Sequence, residues 1–543
     1  MTKTEGGAAS MGRYLSPGNS GFERIAKSGY VDKTGIVAEI NRRIGTTENL
    51  ICVSRPRRFG KSYAAQLLCA YYDCSCDSHG LFRNYKISES ADYEVHINQY
   101  HVICIDIAGA ISELKQQHRS VSELSSVIAA GVRADLVASD SSLTSMENVS
   151  DCLKAYAGKS GRKFVFVIDE WDAVFREAKN DTAAQADYLN LLKTWFKNIN
   201  FTPYAVAAAY MTGILPIKKD GSQSAISDFV EYPILYPDSF AVYTGFTEKE
   251  VQSLCEEQKL NFDDFKAWYD GYDFPECGAV YNPYSVMRAV SSRKCRSYWK
   301  KTSAAESLMT YVNMDFDGLQ ETVARLIAGE EIDVNVDTFE NDFETFKSRD
   351  DVLTLLIHLG YLTYSEDDKT VRIPNEEVRI EFRQILEGTD VSADWVKLIR
   401  KSQQLLEDTL AGNEEAVARA ITEIRDTEYA PTFYNDEQAL RYVLKFAYIA
   451  AVNQYMKVEE LPSGRGIADV VYIPKRRSLL PALLIELKWN KPVAGAVAQI
   501  RERNYPAVLK SYGGDVVLAG LAYDEKTKKH SCSIEKLSVK YDR

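Results

Sequence analysis

The chain has 543 residues, 45% of them apolar and 26% charged, with a formal net charge of −12. That length exceeds a single core and suggests about three to four domains, while the composition excludes gross disorder. The acidic excess argues against a chain coated in nucleic acid, yet from Lys457 to Arg543 there are 16 Lys/Arg against 10 Asp/Glu, a local balance of +6. Such a basic region hints at a polyanionic partner.

The opening MTKTEGGAAS carries no apolar segment flanked by basic residues, so no signal peptide is expected. The longest weakly polar stretch, YAVAAAYMTGILPI, is 14 residues long, short of the roughly 20 needed to span a bilayer. A cytoplasmic protein without membrane attachment is the expectation. Ten cysteines in a chain of this size suggest no disulfide framework. The pair Cys74 and Cys76 has no second Cys/His cluster near it in the sequence, which argues against a four-ligand zinc site.

The first chemistry-bearing stretch is NLICVSRPRRFGKSYAAQLLCAYY. It reads as a buried strand, Leu50 to Ser54, then a loop, then an apolar helix from about Lys61. Backbone N–H groups at such a helix start cradle phosphate oxygens. Lys61 reaches the terminal phosphates, and the Ser62 hydroxyl ligates magnesium. The candidate nucleotide-binding segment runs through Arg55, Pro56, Arg57, Arg58, Phe59, Gly60, Lys61 and Ser62. Arg55 stands where the usual GxxxxGK[ST] pattern has its first glycine.

Further on, KFVFVIDEWD is a short apolar strand ending in Asp169 and Glu170. Asp169 is placed to hold magnesium and Glu170 to orient or deprotonate the attacking water. A third strand, YAVAAAYMTG, ends at Thr212, where a polar group can touch a γ-phosphate. Three strands with polar tips are how an open parallel sheet builds a site at its carboxyl edge. No arginine finger is identified.

Together YVDKTGIVAEIN, SRPRRFGKS, VIDEWD, TGILPI and WYDGYDF…VYNPYSV resemble the AAA-ATPase-like family. The resemblance implies a P-loop NTPase core, a parallel sheet with helices on both faces, over residues 21–290 after a tail of residues 1–20. It also implies that the arginine-rich loop is normal there, with ATP and Mg2+ as cofactors. The run WYDGYDF reads as packing rather than ligand contact.

Residues 291–427 read as helical and acidic. DDVLTLLIHLGYLTYSEDDKTVRIPNEEVRIEF has a helix, a turn at Gly360 and two short strands around SEDDK, a winged-helix-like order. Its excess of Asp/Glu points to a structural lid or linker more than to a DNA contact.

The last stretch is PSGRGIADVVYIPKRRSLLPALLIELK. Ala468 to Ile473 reads as a strand, Pro474 to Ser478 as a turn, and LLIELK as a second strand. Pairing centred on the loop sets Asp469 opposite Glu486, with Lys488 one pleat along on the same face. Two close carboxylates repel, and a divalent cation between them relieves the repulsion. Lys488 can stabilise charge developing on a phosphate or position a water. The alternative is an ion pair between Lys488 and Glu486.

This stretch resembles the PD-(D/E)xK nuclease superfamily, with Ala468 where the leading proline often stands. The resemblance implies a restriction-endonuclease-like α/β domain over residues 428–543. There Glu437 in NDEQAL completes a metal site with Asp469 and Glu486, and Gln499 and Tyr505 in AVAQIRERNY are accessory residues. Mg2+, with Mn2+ as a substitute, would serve it. The expected function is ATP-gated, metal-dependent cleavage of nucleic acid, DNA first, by a protein of this kind that can form a homo-oligomer. The other readings are a nucleotide-dependent switch, or a signalling ATPase whose nuclease-like fold binds a partner or nucleic acid without cleavage.

Overall fold

The computed structural model describes residues 12–217, 219–220, 223–224, 226–299, 316–327, 329–341, 346–387, 392–428, 440, 443–444, 447–448, 451, 455–463, 466–474, 480–493 and 515–537. They divide into two compact units, Met1–Leu308 with Asp333–Arg379, and Met309–Ile332 with Ile380–Arg543. The segment 291–427, read from sequence as a middle domain, is therefore shared between the two units.

In the first unit the apolar runs become the parallel strands β1 (Leu50–Ser54), β2 (His101–Asp106), β3 (Phe164–Asp169), β4 (Val206–Gly213) and β5 (Val230–Tyr232), in the order β2-β3-β4-β1-β5. Continuous apolar sequence is what a sheet covered on both faces requires. Residues alternate accordingly. Leu50, Cys52, Phe164, Phe166 and Ile168 enter the core on one face, and Ile51, Val53, Val165 and Val167 the core on the other. The register aligns the strand ends, with Asp106 beside Asp169, Asp169 beside Thr212, and Ser54 beside Gly213. Polar tips are thereby gathered along one edge.

Helix α1 (Lys61–Tyr72) follows β1, and its start is set by Gly60 at φ 87°, a left-handed conformation that glycine adopts without penalty. A short helix, α2 (Ala173–Glu177), follows β3. Beyond the main sheet, β6 (Phe246–Thr247), β7 (Tyr272–Phe274) and β8 (Gly278–Tyr281) form an antiparallel sheet in the order β6-β8-β7. Helix α3 (Arg349–Leu359) is closed by Gly360 at φ 84° and leads into the hairpin of β9 (Thr363–Ser365) and β10 (Thr370–Arg372), the helix-then-hairpin order legible in the sequence.

WYDGYDF supplies the aromatic joint of this unit. Tyr269 donates to the Arg296 carbonyl at 2.9 Å and Tyr272 to the Gly360 carbonyl at 2.6 Å, both from fully buried rings. Between them Gly271, at φ 121°, lets the backbone approach Pro374 so closely that a Cβ would lie 1.9 Å from the Pro374 carbonyl oxygen.

In the second unit β11 (Tyr455–Ser463), β12 (Gly466–Pro474), β13 (Ala482–Trp489), β14 (Val516–Asp524) and β15 (Lys529–Leu537) lie in sequence order. All neighbours are antiparallel except β13 and β14, which run parallel. A parallel neighbour cannot be reached by a tight turn and needs a crossover. Leu483, Ile485 and Leu487 of β13 pack in one core with Leu405, Val417 and Ile421 from the helices Ser392–Ala411 and Glu414–Glu428, while Ala482 and Leu484 join a smaller cluster on the opposite face. No helix among the described residues is long and apolar enough to cross a membrane.

The Gly271 approach has a measurable consequence. Gly271→Ala should destabilise the first unit by about 3 kcal/mol or more, because strain at a left-handed residue adds to a backbone collision. Gly80→Ala, where nothing lies within 4 Å and φ is not left-handed, serves as the control. Thermal unfolding checks this, and equal midpoints for the two variants would contradict the close approach.

Candidate functional site

The loop between β1 and α1 is held from both sides. Arg55 at its start is fully buried. Its Nη1 donates to the Ser54 carbonyl at 2.9 Å and the Tyr232 carbonyl at 2.6 Å, and its guanidinium lies 5.5 Å from the Phe274 ring centroid. Burial draws its pKa down to about 10. Arg55, placed at the phosphates by the sequence reading, does not line the cavity beside the loop. It braces the loop against β5 and β7 instead.

Arg58, at φ 69°, donates to the Tyr298 carbonyl at 3.0 Å and lies 4.4 Å from the Tyr284 ring centroid. Phe59 is fully buried, edge-on to Tyr272 at 5.1 Å, and its carbonyl accepts from Gly245 N at 3.0 Å. Phe59 and Tyr272 thus join the aromatic segment directly to the loop, which the sequence alone left as packing.

Lys61 is buried, and its Nζ donates to the Arg55 carbonyl at 3.0 Å and the Pro56 carbonyl at 2.8 Å. Burial pulls its pKa down to about 8, against the opposing pull of Asp169, Asp172 and Glu170. Ser62 is solvent-exposed, and its side chain hydrogen-bonds Asp169. Asp169 closes β3. Burial raises its pKa, and the Ser62 bond and the Lys61 charge only partly offset that.

The next residue, Glu170, has φ 52° and lies in the left-handed region. Its carboxylate pairs with Arg176 Nη2 at 2.6 Å. Burial pushes the Glu170 pKa up, but the Arg176 charge and hydrogen bond win and the net shift is downward. Trp171 N donates to the Thr212 carbonyl at 3.0 Å, and Asp172, fully buried, accepts from Ile214 N and Leu215 N at 3.1 Å each. These bonds fasten the turn after β3 to the end of β4. Thr212 itself is fully buried beside Asp169 in register and does not line the cavity.

The cavity measures about 800 Å³. Lys61, Ser62, Glu170 and Arg176 supply polar lining, and Tyr30, Tyr243, Phe246, Tyr284 and Trp299 aromatic lining. Volume and lining suit a small molecule with one charged and one flat, apolar part. Arg57 also lines it, as do Arg58, Phe59 and Gly60. Two nearby groups were missed in the sequence, Asp106 beside Asp169 in register but off the cavity wall, and Arg176 on it. Asp106 ends HVICID, an apolar strand with an acidic tip like that of β3, so a signal was there. Arg176, six residues past Glu170 across an irregular turn, had none.

In the second unit the register sets Val470 opposite Ile485, Val471 opposite Leu484 and Tyr472 opposite Leu483. The pairing ends there, one step short of Asp469 and Glu486. Glu486 is 2% exposed, and Lys488 Nζ donates to its Oε1 at 3.2 Å. The side chain of Asp469, and Glu437, Gln499 and Tyr505 altogether, lie outside the described residues. Among the described residues no group of three or more His, Cys, Asp or Glu side chains is arranged to hold a metal ion.

Residues 17–222 match the family model described as a predicted AAA-ATPase, so this segment is an AAA-ATPase-like domain. An uncharacterised protein from the vnfD 5′ region of Azotobacter chroococcum mcd 1 is 22% identical over 518 residues, covering 92% of this chain and 93% of that protein. Among solved structures, the ORC2 protein of Aeropyrum pernix in ADPNP and ADP complexes is similar at 12% identity, 69% of this chain and 97% of that one, with a TM-score of 0.30. The ORC1 protein of the same organism in complex with DNA matches at 11% identity, 90% and 93% coverage, and a TM-score of 0.22.

The raised Asp169 pKa carries a sign. Its ionised form costs stability at every pH above that raised value, and the cost disappears as the pH falls through it towards the ordinary carboxylate range. Asp169→Asn should therefore raise the thermal midpoint by a few degrees near neutral pH, with the gain shrinking on acidification. A variant no more stable than the parent at pH 7 contradicts this.

Proposed function

We propose that the AAA-ATPase-like domain at residues 17–222 binds ATP with a divalent cation and hydrolyses it. The observation that carries this is the meeting of Lys61 and Ser62, at the start of α1, with Asp169 and Glu170, at the end of β3, beside one cavity of about 800 Å³. The donors fit a hard cation: a hydroxyl bonded to a half-buried carboxylate, at the edge of a positively charged loop. Ser62 and Asp169 would hold it, and bound there it supplies charge neutralisation to the phosphates. Lys61 pairs with the terminal phosphates in place of the two carbonyls that now hold it. Glu170 takes a proton from the attacking water, and the aromatic lining receives the base.

The second unit extends the proposal to cleavage of nucleic acid, DNA first, gated by the nucleotide. The pairing of β12 with β13 runs to Val470 opposite Ile485, one step short of Asp469 and Glu486, Lys488 follows on the face of Glu486, and a parallel strand succeeds the antiparallel set. Glu437, Asp469 and Glu486 are the metal set of this reading, and Gln499 and Tyr505 its accessory residues. The 3.2 Å bond between Lys488 and Glu486 favours a second reading, in which the two neutralise each other and the unit binds a partner without cutting.

Three variants separate the parts. Lys61→Ala should abolish nucleotide binding, whereas Glu170→Gln should retain it and lose roughly 10²-fold or more in hydrolysis. Because the Lys61 pKa is about 8 without nucleotide and rises beside phosphate, binding should draw up protons and weaken as the pH climbs above about 8. Calorimetry in buffers of different ionisation enthalpy reads that uptake. If nucleotide binds equally well to Lys61→Ala, the ATPase reading fails. For the second unit, linear and circular DNA and RNA are incubated with Mg2+ or Mn2+, with and without ATP. Cleavage lost in Lys488→Ala supports the nuclease, and a variant that cuts as well as the parent favours the partner-binding reading.

A further inference from the structure

Arg176 occupies an unusual position among the groups beside the cavity. Its side chain is 9% exposed and pairs at both ends, with Glu170 Oε2 at 2.6 Å from Nη2 and with Asp172 Oδ2 at 3.4 Å from Nε. Asp172 is fully buried and anchored by Ile214 N and Leu215 N, so the inner end of the pair is fixed to the end of β4. Glu170 is half-buried, is itself in the left-handed region, and lines the same cavity as Lys61 and Arg176. One acid is immobile, and the other is at the cavity wall.

We propose that Arg176 exchanges partners, holding Glu170 while no triphosphate is present and turning to the γ-phosphate when one is bound. The inference rests on the ATPase reading above. An ion-paired carboxylate is a poor base. A γ-phosphate offers a guanidinium the same forked geometry as a carboxylate with a higher charge, so it competes for Arg176 where a diphosphate does not reach. The exchange frees Glu170 only when there is a γ-phosphate to attack. The water oxygen then bonds to the γ-phosphorus, and the bond from that phosphorus to the bridging oxygen breaks with its electron pair leaving on ADP. The water proton passes to Glu170. Hydrolysis is in this way made conditional by an arginine of the same chain, anchored by Asp172.

The test compares binding of ATPγS and ADP to the full-length parent, Arg176→Gln and Arg176→Lys, with thermal unfolding to check folding and Lys61→Ala as the binding control. Arg176→Gln should lower the preference for ATPγS over ADP by about tenfold or more while leaving ADP affinity nearly unchanged. Arg176→Lys should restore part of it. An unchanged preference, or an equal loss for both nucleotides, overturns the exchange while leaving Lys61-dependent binding intact. A parent that binds neither nucleotide overturns the ATPase reading and the exchange with it.

Discussion

A cation and an acid are brought together at the carboxyl edge of the main sheet, and each is held where water reaches it poorly. The Lys61 ammonium is sealed among carbonyl oxygens of its own loop, and burial lowers its pKa to about 8. The Asp169 carboxyl is pushed the other way. Both shifts disfavour the charged forms, so the pair is electrostatically tense where it stands. Two titratable groups shifted in opposite directions at one sheet edge mark a candidate site, at a cost in stability.

Keeping that tension requires a rigid loop, and the chain secures one without a glycine at its start. Arg55 is fixed by two carbonyls and an aromatic face, which converts a residue able to reach phosphate into a brace. Phe59, four residues on, inserts beside Tyr272. The small antiparallel sheet is thus a clamp on the loop, and its own geometry depends on Gly271, the one position where the backbone can press against Pro374. Rigidity at the loop between β1 and α1 is supplied by residues distant in sequence, Tyr232, Gly245, Tyr272 and Phe274.

This distance explains what the sequence could and could not disclose. Strand tips carry their chemistry in local order, so VIDE and GKS were readable at once, and HVICID carried the same signal. The hairpin register in the second unit was readable too, because centring a short loop leaves one arithmetic solution, and Val470 opposite Ile485 agrees with it. The bracing role of Arg55 was not legible because its neighbours, Tyr232 and Phe274, come from strands with no local relation to it. Arg176 was invisible because the turn at Glu170 breaks any helical or strand period. The division of residues 291–427 between two units was equally hidden, since helix α3 and its hairpin are legible locally while their membership is decided by long-range packing.

Strand β13 shows how one segment can serve a core and a candidate site together. Leu483, Ile485 and Leu487 bind it to the helix-covered face, and Ala482 and Leu484 lie with Glu486 and Lys488 on the face whose apolar cluster is small. An acid can sit there only with compensation, since a buried carboxylate is costly, and Lys488 provides it at 3.2 Å. A slip of one residue would exchange the faces and drive Glu486 into the helical core. The apolar half of the strand therefore fixes the face on which Glu486 and Lys488 stand.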